Sequence, residues 1–577
     1  MKETREEQAK REIGQTEISR AVAWFMAVMF LGIVFSVPIV QHVVGLGQLA
    51  RAEQETVLDF YGEFGGVGGE MAEAWREAPT LLRRFLAPNA VLLRGMNTYQ
   101  DELDDSCVLA AALRSPVQEL MCRLGVGNEK AYVGREGWLF YEPGIAHVVG
   151  PGFLEPRQLR KRERAGNEWQ KPPQPDPVKA IVHFADQLRE RGIDLVVMPA
   201  PVKPSIHPEQ LTRRALVLQD ALRNPSYGRF VARIEEQGIR VFDPAPAIML
   251  AMAETGEAYL RTDTHWRPEI MQVVAKELAA VVRSGINVQH PTLNAQRPAR
   301  EAELYVRKET DVRNPGDIAV MLKLPEGQEL YAEEEVTIAR VVKKDGTAWE
   351  SEEDAEVLLL GDSFANIYSL EDMGWGTAAG LAEQLSYELQ APVDRIVRND
   401  SGAFATREML AQELARGNDR LDGVKIVVWQ FAARELSLGN WKLIEMKLGE
   451  KPAGSVVARP PAAGTPVTGT IAEVSGRPER NATYKNFVMK LYVEELADES
   501  GAKFGQGDGV VHVFGMKERV ILPVAKAKKG MKVRLRLEPW EKVQKRYGTI
   551  KAGGLADDML EIVKDRYWCE EPELLGF

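Results

Sequence analysis

Apolar runs and segments of helical spacing alternate through the middle of the chain. A helical segment precedes the apolar run at 193–201, which ends in prolines. The same order recurs around three later apolar runs, at 356–360, 394–398 and 424–430. Short buried strands that alternate with helices predict an α/β fold with a doubly wound parallel sheet, whose ligand chemistry lies at the carboxyl ends of the strands.

The longest apolar run lies near the amino terminus. Residues 21–40 carry no charge, and a helix of that length crosses a hydrocarbon core of about 30 Å. Five basic residues precede the run and the next charged residue is Arg51, so we predict a cytoplasmic tail at 1–20 and a single transmembrane anchor at 21–45. The alternative is a cleaved signal peptide, although the run is longer than such peptides use. We expect the rest of the chain to lie in the periplasm, held at the inner (cytoplasmic) membrane.

The remaining patterns divide the chain into further segments. Residues 46–130 predict a helical neck, and residues 131–447 predict the α/β domain. Polar, strand-like pieces at 286–350 interrupt the alternation, and we interpret them as an insertion. A linker rich in Pro, Gly and Ala at 448–466 precedes successive strand-like runs at 467–577, which predict a small all-β barrel or sandwich.

Composition restricts the partners and cofactors that we expect. Lys and Arg total 73 against 84 Asp and Glu, a net charge of -11, and no basic block is present, so we expect no nucleic-acid partner. Three cysteines exclude a disulfide-dense scaffold, although Cys107 and Cys122 could pair in an oxidising compartment. The histidines are scattered without metal-ligand spacing, and no glycine-rich phosphate loop is present. We therefore expect no metal and no cofactor.

Two motifs carry candidate chemistry. Ser363 follows the run at 356–360 in a Gly-Asp-Ser turn, where an exposed nucleophile would lie at the carboxyl end of a strand. Asp263 and His265 lie two residues apart, and an extended backbone would put both side chains on one face. A serine needs a base to take its proton, and a histidine oriented by a carboxylate supplies one. We predict that these three residues form a catalytic triad; the alternatives are a simple turn serine and a capping or core histidine.

These motifs and others in the same order resemble the alginate O-acetyltransferase family of the AlgJ and AlgX kind, whose catalytic domain is a variant of the SGNH hydrolase fold. The resemblance runs from about 131 to 443 and rests on GREGWLFY (134–141), MPAPVKPSIHP (198–208), TDTHW (262–266), GDIAVMLKLP (316–325), GDSF (361–364) and VVWQFAARELS (427–437). The Asp-x-His pair precedes the serine, as in that family. The resemblance implies an SGNH-like three-layer fold with Ser363 as nucleophile, His265 as general base and acid, and Asp263 as its orienting partner.

The same resemblance implies an activity and partners. It implies an O-acetyltransferase that moves an acetyl group through a serine ester onto hydroxyls of an exported polysaccharide, alginate-like or another exopolysaccharide. A membrane-bound O-acyltransferase would deliver the acetyl group, and the amino-terminal anchor would hold the chain beside it. Two alternatives stay open: a carbohydrate esterase with the same triad, and a non-catalytic glycan-binding scaffold of an export complex. The net negative charge argues weakly against a strongly anionic polymer.

Further residues are predicted to contact substrate from their positions in the chain. Each lies near a predicted strand end or just after the nucleophile: Lys203, Tyr368 and Arg434. Asn399 is the candidate, by its position after a strand, for the Asn block that completes the oxyanion hole in SGNH esterases. Three aromatic residues of the carboxyl-terminal segment are candidates for stacking on sugar rings or for core packing: Trp540, Tyr547 and Trp568.

Overall fold

The structure is a computed structural model with two compact units, Met1–Leu120 and Met121–Phe577. It describes residues 19–32, 36, 60–78, 80, 83–93, 96, 108–165, 172–213, 220–289, 304–399, 402–449, 466–478, 484–498, 500–555 and 560–576. We call residues 121–449 the α/β domain and residues 466–576 the β domain.

The described residues of the first unit are mostly helical. Its helices cover residues 20–32, Phe60–Glu77 and 83–93, and a further helix runs over Val108–Arg123. Within the described part of the chain, no helix combines the length and the apolar character that a membrane crossing needs. Of the anchor predicted at 21–45, residues 33–35 and 37–45 lie outside the described residues. Cys107 also lies outside them, so its pairing with Cys122 stays a prediction.

A five-stranded parallel sheet is the framework of the α/β domain. Its strands, in spatial order, are β4 (Arg240–Val241), β3 (Asp194–Ala200), β9 (Ile426–Ala432), β7 (Val357–Gly361) and β8 (Asp394–Val397). Every neighbouring pair is parallel, and β7 and β9 align Leu360 with Trp429. The parallel sheet predicted from the four apolar runs is confirmed, and the short edge strand β4 is added to it.

Both faces of this sheet are buried. Successive residues of each strand point to opposite sides, and the residues of each side join a separate apolar cluster. In β3, Val196 and Met198 join one apolar cluster, while Leu195 and Val197 join the other. The first cluster includes helices Pro268–Gln289 and Leu381–Leu389, and the second includes Pro177–Arg189, Tyr227–Glu235 and Ala405–Ala415. The sheet therefore lies between two helical layers, as the three-layer fold predicts.

Shorter elements complete the α/β domain. A hairpin of β1 (Ala131–Val133) and β2 (Leu139–Tyr141) precedes the sheet. The interrupting segment is an antiparallel pair, β5 (Tyr305–Asn314) and β6 (Glu334–Lys343), joined through the helix Asp317–Met321. The other helices are Glu142–Val149, Pro156–Glu163, Lys203–Ile206, Pro208–Leu211, Ala245–Thr255, Ser363–Asn366 and Glu435–Leu438.

The β domain is a single eight-stranded sheet. Its strands are β10 (Pro466–Val474), β11 (Phe487–Asp498), β12 (Gly509–Lys517), β13 (Val520–Ile521), β14 (Lys532–Arg536), β15 (Glu538–Pro539), β16 (Arg566–Cys569) and β17 (Glu573–Gly576). The pairing order is β15-β16-β12-β11-β10-β14-β17, with β13 on β12, so among the described residues the ladder does not close. The prediction of an all-β domain is confirmed, and over the described residues its strands form one open sheet. Helices Trp540–Tyr547 and Leu560–Val563 were not predicted.

The candidate sugar-stacking residues of the β domain form core. Trp540 and Trp568 are 6% and 3% exposed and pack with Val488 and other apolar residues. The Trp540 ring lies on the His512 ring at 4.0 Å, and the Tyr547 ring lies on the Trp568 ring at 4.3 Å. The rings already cover one another, so the core-packing alternative describes them and the stacking interpretation is wrong for the two buried tryptophans.

Candidate functional site

Ser363 lies on a tight turn at the carboxyl end of β7 and begins the one-turn helix Ser363–Asn366. The turn leaves no room for a side chain at Gly361, because an added Cβ would lie 2.7 Å from the Ala365 Cβ. Asp362 caps the short helix, since its Oδ1 accepts the Phe364 amide at 2.9 Å, and its Oδ2 accepts the Ala432 amide at 2.6 Å. The turn that carries Ser363 is thereby fastened to the neighbouring strand β9.

The structure brings the three residues of the predicted triad together. His265 Nδ1 lies 2.6 Å from Asp263 Oδ1, and His265 Nε2 lies 2.8 Å from Ser363 Oγ. The reason given from the sequence for the Asp-His contact is wrong, however, because the segment is bent rather than extended. Asp263 Oδ1 also accepts the backbone amide of His265 at 3.1 Å, which is an Asx turn that folds the carboxylate toward the ring. The catalytic roles of the three residues stay a prediction.

The Asp263 carboxylate is buried among N–H donors. Besides the two groups of His265, its Oδ2 accepts the Asp317 amide at 3.0 Å and the Trp375 indole N–H at 2.9 Å. Burial alone would raise the pKa of Asp263, but these donors and the charge of His265 hold it below its ordinary value. An ionised carboxylate on Nδ1 favours the imidazole tautomer whose Nε2 can accept the Ser363 proton.

Aromatic rings hold the imidazole in place. The Phe364 ring meets the His265 ring at 4.8 Å and the Trp266 ring at 5.1 Å, both edge to face. Phe364 and Trp266 are fully buried. The rings therefore limit rotation of the imidazole away from Ser363.

A cavity of about 680 Å³ opens over Ser363 and His265. Asn399 lines it, and the Asn399 side-chain oxygen accepts the Asn366 side-chain N–H at 3.0 Å. Among the described residues the backbone amide of Ser363 has no acceptor. The Ser363 amide and the Asn399 side-chain amide are thus two candidate donors for an oxyanion.

Two of the three predicted substrate contacts are wrong. Lys203 is 2% exposed, and its Nζ donates to the carbonyl oxygens of Leu139, Arg261 and Asp263 at 2.6, 2.9 and 2.7 Å. Burial lowers the pKa of Lys203 to about 8. Tyr368 is fully buried and its hydroxyl donates to the Trp266 carbonyl at 2.7 Å. Both side chains fasten the segment 261–266, which we call the Asp-His loop, to its surroundings, so neither is available to substrate.

Arg434 lies on the cavity, unlike the other two predicted contacts. Its guanidinium lies 5.3 Å from the Tyr141 ring centre and 5.9 Å from the Phe364 ring centre. The atom Nη1 is buried without a partner among the described residues. Substrate contact by Arg434 stays a prediction that its position allows.

Several residues of the site have no role predicted from the sequence. Trp375 and Asp317 reach Asp263 from 112 and 54 residues away along the chain. The Gln430 side-chain oxygen accepts the Asp362 backbone amide at 3.0 Å, and its Nε2 donates to Asp362 Oδ1 at 2.8 Å. Asp317 and Gln430 do lie in two of the motifs that carry the family resemblance, which is the signal that could have identified them.

Asp263, His265 and Asp317 are also the residues that come nearest to a metal-ligand set in the described part of the chain. Each offers one atom, and the three atoms lie within 4.8 Å of one another. Both Asp263 oxygens already accept N–H groups, and both His265 ring nitrogens face Asp263 or Ser363. The donor set therefore fits a proton relay better than a cation.

Comparisons with known proteins identify the family of the α/β domain. Residues 131–433 match the family model described as "SGNH hydrolase-like domain, acetyltransferase AlgX". A "Probable alginate O-acetylase AlgJ" of Pseudomonas aeruginosa is 28% identical over 169 residues, which are 29% of this chain and 37% of that protein. The protein of the same name from Pseudomonas fluorescens is 26% identical over 319 residues, 54% of this chain and 70% of that protein.

A solved structure is also similar. The O-acetyltransferase domain of Pseudomonas putida AlgJ matches with a TM-score of 0.39 and 20% identity, over 54% of this chain and 93% of that one. The chain spans little more than a third of the Pseudomonas aeruginosa relative, at 37% of its length.

Proposed function

The chain belongs to the family of SGNH hydrolase-like acetyltransferases that includes AlgX, and on that premise we propose that it transfers acetyl groups onto hydroxyls of an exported polysaccharide. The observation that carries the proposal is the row of hydrogen bonds from Asp263 through His265 to Ser363. That row lies at a cavity whose volume, about 680 Å³, is within the range of small-molecule sites.

In the first half of the proposed reaction, Ser363 takes the acetyl group. His265 Nε2 accepts the Ser363 hydroxyl proton while Oγ attacks the acetyl carbonyl carbon of the donor. The Ser363 amide and the Asn399 side chain would donate to the oxyanion that forms. When the intermediate collapses, the bond to the leaving group breaks, the leaving group takes the proton from His265, and an acetyl ester remains on Ser363.

In the second half, a sugar hydroxyl takes the acetyl group from Ser363. His265 accepts the proton of that hydroxyl, and the sugar oxygen attacks the ester carbonyl. The bond to Ser363 Oγ breaks and Oγ regains the proton from His265. An esterase would follow the same steps with water as acceptor. The two functions therefore differ in whether the cavity binds a sugar hydroxyl or a water molecule beside the acetyl ester.

The cavity walls favour an acidic acceptor. Six basic side chains line it against four acidic ones, counted among the described residues. Three basic residues lie on the side of the α/β domain: Lys130, Arg313 and Arg434. Three come from the β domain: Lys485, Arg519 and Lys551. We propose that these side chains bind the carboxylates of an acidic polysaccharide, so the expectation drawn from the negative net charge of the whole chain is replaced by one drawn from local charge.

Removing the basic side chains of the β domain should weaken acceptor binding. We expect the triple variant Lys485→Gln, Arg519→Gln, Lys551→Gln to raise KM for an acidic oligosaccharide by about tenfold, because each lost charge contributes on the order of 0.5 kcal/mol near a solvated carboxylate. Hydrolysis of a small neutral acetyl ester should be unchanged. The measurement is the rate of acetyl transfer against acceptor concentration at two salt concentrations, with neutral oligosaccharides beside the acidic ones.

A matched control separates local charge from net charge. Lys528, Lys529 and Lys532 are exposed on the same β domain and are not among the residues that line the cavity. Changing these three to Gln removes the same charge and should leave KM for the acidic acceptor unchanged. Equal effects of the two triple variants, or a neutral acceptor used as well as the acidic one, would count against an acidic acceptor.

Asn399→Ala tests the proposed oxyanion donor. We expect kcat to fall by about a hundredfold with little change in KM, because the lost N–H acts on a charge that exists only in the transition state. The check is kcat and KM for a small acetyl ester. Asn440→Ala serves as control, because the Asn440 side chain accepts the Gln174 amide rather than facing Ser363. A value of kcat within threefold of the wild type would remove Asn399 from the oxyanion hole.

We also propose a cellular location for the chain and a protein partner that supplies the acetyl group. The family resemblance supports a location outside the cytoplasm, at the inner membrane. A membrane-bound O-acyltransferase is the proposed acetyl-donor partner, because a donor made in the cytoplasm must be delivered across that membrane.

A further inference from the structure

The strand pair that interrupts the α/β domain carries a second carboxylate to the triad. Asp317 is the first residue of the helix Asp317–Met321, between β5 and β6. One Asp317 oxygen, one Asp263 oxygen and one His265 nitrogen lie within 4.8 Å of one another. The proposed acetyl transfer does not use this carboxylate, although Asp317 lines the cavity beside Ser363.

Asp317 is bonded to the loop that holds Asp263 and His265. Its Oδ1 accepts the Thr264 amide at 2.7 Å, and its own amide donates to Asp263 Oδ2 at 3.0 Å. The loop residue between Asp263 and His265 is thus held by the Asp317 side chain, and the Asp263 carboxylate is held by the Asp317 backbone. One residue therefore fixes both halves of the loop.

The neighbours of Asp317 hold the start of the same loop. The amides of Ile318 and Ala319 both donate to the Thr262 carbonyl at 3.2 Å. From β6, Glu334 Oε1 accepts the Thr262 amide and the Thr262 hydroxyl, each at 2.8 Å. Gly316 has a φ of +84°, and an added Cβ would lie 2.5 Å from the Thr262 carbonyl oxygen, so only glycine permits this close approach. The interrupting segment therefore holds the Asp-His loop by hydrogen bonds at Thr262, Asp263 and Thr264.

The charge of Asp317 acts on the same group of side chains. Its carboxylate interacts electrostatically with Asp263 and His265 of the loop, with Lys203 of the helix Lys203–Ile206, and with Tyr141 of β2. Burial, and then the charge of Asp263, raise the pKa of Asp317. Lys203 is held by three carbonyl oxygens, so no side-chain hydrogen bond from it neutralises Asp317 in the described structure. A negative charge at this distance favours a protonated imidazole.

We propose that Asp317 is a positioning residue for His265: its carboxylate fixes the Asp-His loop, and its negative charge stabilises the imidazolium that forms when His265 takes a proton. The kinetic consequence rests on the proposed function. The effect on imidazole protonation does not rest on it, because Asp317 lies beside His265 in the folded chain whether or not the chain transfers acetyl groups.

The test compares Asp317→Asn with Asp317→Ala in the full-length chain. Asparagine keeps an oxygen for the Thr264 amide and removes the charge, whereas alanine removes both. NMR titration of the His265 ring, assigned with His265→Gln, reports protonation without turnover, and kcat, KM and the pH–rate profile for a small acetyl ester report the kinetic effect. Asp311→Asn is the control, because Asp311 is exposed on β5 and bonded to Thr337.

The expected result is specific to lost charge. In Asp317→Asn the acid limb of the pH–rate profile and the NMR signal of His265 protonation should both move to lower pH, and kcat should fall about tenfold with KM unchanged. Asp317→Ala should show the same shift and a lower melting temperature.

Two results would overturn the inference. An unmoved His265 titration in Asp317→Asn would do so even if the wild type turns over no ester, and absent wild-type turnover would by itself count only against the proposed function. A shift equal to that of Asp311→Asn would mean that Asp317 has no special effect on His265.

Discussion

Ser363→Ala should reduce acetyl transfer by at least about a thousandfold while the fold stays intact. The Ser363 hydroxyl is the group that His265 Nε2 meets at 2.8 Å, and alanine leaves the imidazole without a nucleophile to deprotonate. Binding and the oxyanion donors would remain, so a small residual rate is expected. The measurement is kcat for acetyl transfer from a small ester, with the melting temperature recorded on the same preparation.

The chain supplies its own matched control for this variant. His147 Nδ1 lies 2.7 Å from Ser437 Oγ, which is a second serine-histidine contact, with the histidine buried and the serine partly buried. Burial lowers the pKa of His147 to about 4, and no carboxylate bonds to this ring in the described structure. Ser437→Ala should therefore keep transfer within about twofold of the wild type, as surface and packing serines do. Comparable losses in the two variants would mean that the triad carries no chemistry.

Asp263→Asn should lower kcat by a factor on the order of a thousand to ten thousand. Both oxygens of the native carboxylate accept N–H groups, from His265, Asp317 and Trp375. In asparagine, one of the two oxygens is replaced by an NH2 group, which cannot accept a hydrogen bond. If the NH2 group faced His265, the imidazole would adopt the tautomer whose Nε2 cannot take the Ser363 proton; if it faced Asp317 and Trp375, two buried N–H donors would lose their acceptor. Kinetics with a small ester check this, together with the melting temperature.

The control for Asp263→Asn is a carboxylate away from the site. Asp345 lies in the exposed turn after β6 and accepts the Thr347 amide and hydroxyl at 2.9 and 2.7 Å. Asp345→Asn should leave kcat unchanged. If Asp263→Asn kept a tenth or more of the wild-type kcat, Asp263 would not be the group that orients His265.

Elements that depend on local patterns were predictable from the sequence. Buried parallel strands such as β3 and β7 are continuous apolar runs, and helices must cover both faces of their sheet, so alternation along the chain predicts the layers. The Asp263, His265 and Ser363 set was predictable because nucleophile chemistry demands those residue types and the family motifs carry them in order. The Asx turn that joins Asp263 to His265 was not foreseen, because two-residue spacing fits a bent segment as well as an extended one.

Features that depend on distant contacts were not predictable. The position of Lys203 after a strand does not determine where its Nζ points. In the structure, Nζ donates hydrogen bonds to three carbonyl oxygens of β2 and the Asp-His loop. Trp375 reaches Asp263 across 112 residues, and no local periodicity encodes such a contact. Net charge and local charge differ for a related reason: net charge sums the whole chain, whereas the cavity collects Arg434, Lys485 and other basic residues from separate segments.

Acetyl transfer through Ser363 is tested most directly by mass spectrometry of the full-length chain. The chain is incubated briefly with a small acetyl ester, digested, and then compared with a sample chased with an acidic oligosaccharide. We predict one acetyl group on the peptide that contains Ser363, and its loss during the chase as acetylated sugar appears. Acetylated sugar formed while the Ser363 peptide never carries acetyl, or an acetylated Ser363 that releases only free acetate in the presence of every acceptor, would contradict the proposed transferase.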